Sequence, residues 1–182
     1  MRTERYRPLL DAAANLVGLP WWPNLRGANY APFEPGCWLE GLVLGESNGN
    51  PKARRYEHHQ DRPGPGDADL SGHDDGLLED DASYGLMQVM GYNIRRLVGV
   101  SPGVPMNFGF ALLPITNISL GLRVLLEELE ATDGDVSRSL ARYNGGPTGE
   151  RLTGGVMRRQ EYVVHIRDCT VAVWRDRREH VR

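Results

Sequence analysis

Apolar residues recur along this chain with the period of helices, interrupted by two long stretches that have no period at all. Arg5 to Val17 places Leu9, Ala12, Ala13, Leu16 and Val17 on one face, and Gly18 and Pro20 stop it. "WWPNLRGANYAPFEPG" follows, an aromatic- and Pro/Gly-rich packed loop in which Trp21 and Trp22 serve as packing residues or as a stacking surface for a ligand. In "CWLEGLVLGESNGNP", Leu39, Leu42 and Val43 recur at helical spacing, Trp38 and Leu44 widen the apolar face, and Asn48 to Pro51 form a stop. The second aperiodic stretch, "ARRYEHHQDRPGPGDADLSGHDDGLLEDDA" from Ala53 to Ala82, is polar and rich in Pro and Gly, a length of loop that in a compact domain is functional or disordered. "SYGLMQVM" reads as a short strand entering a turn, and "YNIRRLVGV" as a short helix. "PITNISLGLRVLLEELEATDG" is amphipathic, with Ile118, Leu122, Leu125, Leu126 and Leu129 inward and Asp133-Gly134 as its end. "DVSRSLARYNGGP" puts Val136, Leu140 and Tyr143 in register. After a Gly-rich link, "RRQEYVVHIRDCTVAVWRDRRE" closes the pattern as a long helix. The sum is a mainly helical protein with one small β element near "SYGLMQ".

Length and composition narrow the class without fixing it. At 182 residues with 40% hydrophobic and 25% charged content, the chain suits one soluble domain with a full core. A formal charge of −3 argues against steering to nucleic acid, and no apolar run reaches the length of a membrane span. The charge is uneven: nine acids stand against one Arg between Glu57 and Asp81, whereas Arg158 to Arg182 carries seven Arg against four acids. Cys37 and Cys169 do not make a disulfide framework; both lie on predicted helix faces and read as buried free thiols, with a single bridge as the alternative.

One position stands out. Glu46 ends an apolar helix, where the negative end of the macrodipole is unfavourable to its anion. Either it is solvated there, or its pKa is meant to be raised. Three segments in order, "GESNGNP", "SYGLMQVM" and "YNGGP", together with "EYVVHI", "LLDAAANLVGLP" and "NISLGLRVLLEELEA", resemble the lytic transglycosylases of the soluble type and the goose-type lysozymes. The match spans most of Tyr6 to Ile166. It implies a lysozyme-like fold (mainly α, with the small β element beside an active-site cleft), a single domain over 1–182 with its core at about 36–170, and 56–82 as a loop insertion.

The resemblance also implies an enzyme acting on peptidoglycan glycan strands without a cofactor. Glu46 is its general acid, for which an apolar setting that disfavours the ionised form is suited. The acetamido group of N-acetylmuramic acid assists, and collapse by its 6-hydroxyl leaves a 1,6-anhydro end. Ser47 is a partner for the acetamido or lactyl group, Gly85 allows close approach to a sugar, and Gln88 offers a donor and an acceptor. Met87 is a core residue or a subsite wall. Tyr143 supplies a ring with a polar tip, Asn144 orients a catalytic or sugar group or caps a helix, and Tyr162 meets Glu46.

Rival readings attach to the acidic loop. Asp80 or Asp81 would position water in a goose-type hydrolase (a muramidase). Asp67, Asp69 and Ser71 begin like a calcium loop, but Leu78 stands where the bidentate acid belongs; His58, His59 and His73 with neighbouring acids raise zinc. No metal is expected. A glycan-binding module without turnover is the alternative from another class. "WRDRREH" reads as a solvated helix end whose Arg residues help hold an anionic wall polymer. The start lacks a secretory signal, so the expectation is a monomer made in a bacterial host cytoplasm, reaching the wall by phage lysis or virion delivery.

Overall fold

The structure, a computed structural model, describes residues 2–16, 34–56, 82–101, 104–153, 156–157 and 159–180. Six α-helices are found among them. After a 3-10 turn at Glu4–Tyr6 come α1 (Arg7–Leu16) and α2 (Pro35–Ser47), and later α3 (Gly91–Val98), α4 (Pro114–Ala131), α5 (Val136–Gly145) and α6 (Gln160–Glu179). The mainly α, lysozyme-like fold class is the one observed.

α2 organises the rest because nearly all of its surface is apolar and a helix of that kind must be covered on every side. Pro35 starts it, and Asn48 ends it in a left-handed conformation at φ 52°, its N–H on the Leu44 carbonyl. Cys37, Trp38, Leu39, Leu42 and Val43 are buried. α1 covers one side and α6 another. The α6 contact depends on glycines one turn apart: a Cβ on Gly41 would lie 2.3 Å from Thr170 Oγ1 and 2.7 Å from its Cα, and one on Gly45 would lie 2.5 Å from Ile166 Cδ1.

A fully buried carboxylate, Glu40, sits in the middle of this apolar helix. Thr3 Oγ1 donates to it at 2.9 Å, Arg7 Nε at 3.0 Å to both oxygens, and Arg177 Nε at 2.8 Å. Arg177 also reaches Asp11 at 2.9 Å, and Arg7 donates to Asp176. That hydrogen bond from Arg7 holds the Asp176 carboxyl below its usual range. The cluster joins α1, α2 and α6. "WRDRREH" is therefore not simply solvated: Arg177 turns inward to pair with Glu40 and Asp11, and Asp176 to pair with Arg7, while Arg178 lies over the Trp174 ring.

Two β elements lie in stretches read as loop or link. β1 (Arg54–Tyr56) pairs antiparallel with β2 (Ala82–Tyr84), and β2 with β3 (Val89–Met90). β4 (Leu152–Thr153) and β5 (Val156–Met157) form a second hairpin. Strands of two or three residues are too short to display alternation, and backbone pairing alone defines them. Cys37 and Cys169 are free thiols, the first buried. No helix of the described residues is long and apolar enough to cross a membrane.

Candidate active site

Glu46 occupies the last turn of α2, directly after Gly45. Tyr162 is in the first turn of α6, and the close α2–α6 crossing brings its hydroxyl to donate to Glu46 Oε1 across 116 residues of sequence. One turn further along α6, His165 Nε2 lies 3.4 Å from the Gly45 carbonyl. The carboxyl is thus held from a helix other than its own.

The β2–β3 turn, Gly85–Gln88, closes the other side. Ser47 Oγ donates to the Leu86 carbonyl at 2.8 Å, with the Val43 carbonyl 3.1 Å away. That hydroxyl ties the end of α2 to the turn. Gln88 stands at φ 47° and spends its amide within the sheet: Nε2 donates to Gly85 (2.9 Å) and Ala53 (3.3 Å), while Oε1 accepts from Ser83 (2.8 Å). Gly85 has φ 74°, and a Cβ there would lie 2.3 Å from Asn117 Nδ2. The close approach that this glycine permits is made by Asn117. Met87 is fully buried, packed against Gly121.

Asn117 was not singled out from the sequence, although a signal existed: it is a polar residue four positions before Gly121 on the apolar face of α4. Fully buried, it accepts from Met87 N (2.7 Å) and donates to the Tyr84 (2.7 Å) and Ala111 (2.8 Å) carbonyls. These three bonds set the turn's path. Asn117→Ala is expected to destabilise the protein by about 2–3 kcal/mol, because three buried backbone groups lose their partner. A calorimetric Tm measures this, and an unchanged Tm would mean that the turn holds its shape without the amide.

Tyr143 reaches the same turn from α5 and donates to the Met87 carbonyl at 2.8 Å. Burial, then the nearby Glu46 and Tyr92, pushes its phenol well above the usual range, so it remains a protonated donor. Asn144, the next residue, is half-buried, and its side chain makes no hydrogen bond among the described residues.

Glu46, Ser47 and Gln88 line one open groove with Asn48, Asn50, Lys52, Ala53, Arg54, Arg55 and His165. Met87, Tyr143 and Tyr162 stand behind that lining as support. Asp80 and Asp81, the calcium-loop candidates Asp67, Asp69 and Ser71, the three loop histidines, and Trp21 and Trp22 all lie outside the described residues. Among the described residues no group of three or more His, Cys, Asp or Glu is placed to hold a metal.

A carboxyl fixed by a phenol in an open groove suits proton transfer to a polymer lying along it. The family model described as Transglycosylase SLT domain matches residues 38–161, from α2 to the first turn of α6. No solved structure matches the chain. The match holds α2, the sheet and its turn, and α3 to α5, about two thirds of the sequence. On that extent the chain belongs to the Transglycosylase SLT domain family, whose members are lytic transglycosylases acting on peptidoglycan.

Proposed function

We propose that Glu46 is the single general acid and base of this transglycosylase, cutting the β-1,4 bond between N-acetylmuramic acid and N-acetylglucosamine. The observation that carries the reading is the Tyr162–Glu46 hydrogen bond beside the groove. Glu46 gives its proton to the glycosidic oxygen as the C1–O bond breaks, and the N-acetylglucosamine fragment leaves with a free 4-hydroxyl. The acetamido oxygen of N-acetylmuramic acid bonds to C1 in its place. The Glu46 carboxylate then removes the proton of the 6-hydroxyl, O6 attacks C1, and the acetamido group is released. One proton leaves Glu46 and one returns, with no water consumed.

Tyr162 holds the carboxyl rotamer through both transfers. Tyr143 and Asn117 keep the turn in place behind it, an arrangement that places the reacting groups without their having to reorganise. The test is to digest purified peptidoglycan and weigh the released muropeptides. Products one water lighter than hydrolytic fragments are expected. Hydrated reducing ends would overturn the single-acid route and direct attention to Asp80 and Asp81.

A further inference from the structure

Four residues apart on α6, His165 and Cys169 stand on one face of the helix, one turn from each other. Their ends meet: His165 Nε2 lies 3.9 Å from Cys169 Sγ. The same nitrogen lies 3.4 Å from the Gly45 carbonyl, in the last turn of α2, where carbonyls have no intrahelical donor. Gly45 keeps that approach open, since a Cβ there would stand 3.3 Å from Nε2. His165 is exposed and Cys169 half-buried. A nitrogen, a sulfur and an oxygen therefore gather at the rim of the groove that His165 lines with Glu46.

What such a set can hold follows from its atoms. Soft sulfur with imidazole nitrogen suits zinc and its neighbours in the first transition row, whereas magnesium and calcium take oxygen ligands. With Zn–N at about 2.0–2.1 Å and Zn–S at about 2.3 Å, tetrahedral geometry separates nitrogen from sulfur by about 3.6 Å. An oxygen ligand would lie about 3.4 Å from the nitrogen. The first separation here exceeds its ideal by a few tenths of an ångström, within a small side-chain rotation, and the second matches. A redox or nucleophilic role suits the thiol less well. Burial, then Asp168, pushes it above its ordinary range, the opposite of an activated thiolate.

We propose that His165 Nε2 and Cys169 Sγ bind a zinc-like divalent cation at the rim of the groove, and that the occupied site keeps the strand from Glu46. The neutral imidazole supplies its Nε2 lone pair in the tautomer with the proton on Nδ1. The thiol gives its proton to solvent and binds as thiolate. Two side chains make an open site, in keeping with the lack of any three-residue cluster among the described residues. The Gly45 carbonyl and water complete the coordination. Through that carbonyl the ion also ties α6 to the end of α2, the two helices that bring Tyr162 to Glu46. The block rests on the reading of this groove as the place of cleavage; the binding does not.

Cobalt(II) is the probe for binding, because a thiolate ligand gives it a charge-transfer absorption band that nitrogen and oxygen ligands do not. Titrating the full chain should raise that band, and Cys169→Ser should abolish it. His165→Gln should weaken binding at least about tenfold, since the loss of even an outer-shell partner costs about 10–100-fold in affinity. No band in the wild type, a band that survives Cys169→Ser, or an unchanged affinity in His165→Gln would each overturn the site. Zinc is then added to a digest of a soluble glycan substrate. Wild-type turnover should fall and return on adding a chelator. Cys169→Ser, relative to its own zinc-free rate, should need at least about tenfold more zinc for the same loss. Equal zinc sensitivity of the two proteins would overturn the block. Retained cleavage by Glu46→Gln without zinc would instead sink the reading of the groove, and the site would still stand or fall by its cobalt band.

Discussion

Glu46→Gln is expected to lower turnover of peptidoglycan by about 10³–10⁴-fold, with KM little changed. A positioned acid or base contributes about 10²–10⁴ to such a reaction. In the proposed route one residue both gives and recovers the proton, so its loss would remove both contributions. The amide fills the same volume and can still accept from the Tyr162 hydroxyl. Folding stability should therefore stay within about 1 kcal/mol of wild type, as is usual for substitutions that leave packing and partners in place. Turnover measured on a soluble glycan substrate, with a denaturation curve beside it, decides the matter. Residual activity above about a tenth of wild type would show that another group carries the proton.

Glu40→Ala should give the opposite profile, a large loss of stability with catalysis retained while the protein stays folded. Glu40 is fully buried and holds Arg7 and Arg177, and removing it leaves two guanidinium groups facing a hole. Breaking a buried ion pair from one side costs about 3–5 kcal/mol. Urea unfolding would read this as a lower midpoint with an unchanged slope. The two carboxyls are six residues apart on α2, about 9 Å along the axis. A loss below about 1 kcal/mol would mean that water or the neighbouring Asp11 and Asp176 compensate the two arginines.

Those two residues also mark what could be read from the sequence. Helical periodicity located α1 and α3 to α6 by an apolar stripe and α2 by a nearly continuous apolar surface, and the abrupt carboxyl at Glu46 was visible as the end of that surface. Glu40 lies six residues earlier on the same helix, where no neighbouring residue sets it apart. A buried charge is legible only once its partners are known, and these are Thr3, Arg7 and Arg177, far from it in the sequence. Asn117 shows in the sequence only as a polar residue on an apolar face; its role does not, because its three partners lie on other elements. Gly85, Ser47 and Gln88 were noticed for their polarity or freedom, but their contacts within the protein depend on a turn whose path no local pattern encodes. β1, β4 and β5 were too short to carry any pattern.

The glycine-lined crossing of α2 and α6 also sets a schedule. Chains are made from the N-terminus at about 5–20 residues per second, so the tyrosine that holds Glu46 emerges roughly 6–23 s after it. Throughout that interval the glycine-bearing face of α2 is bare and Glu46 lacks its phenol. Contacts of such long sequence separation also form late in folding. On the proposed reading of Glu46 as the acid, a nascent chain carries that carboxyl without its phenol, and docking of α6 completes the pair.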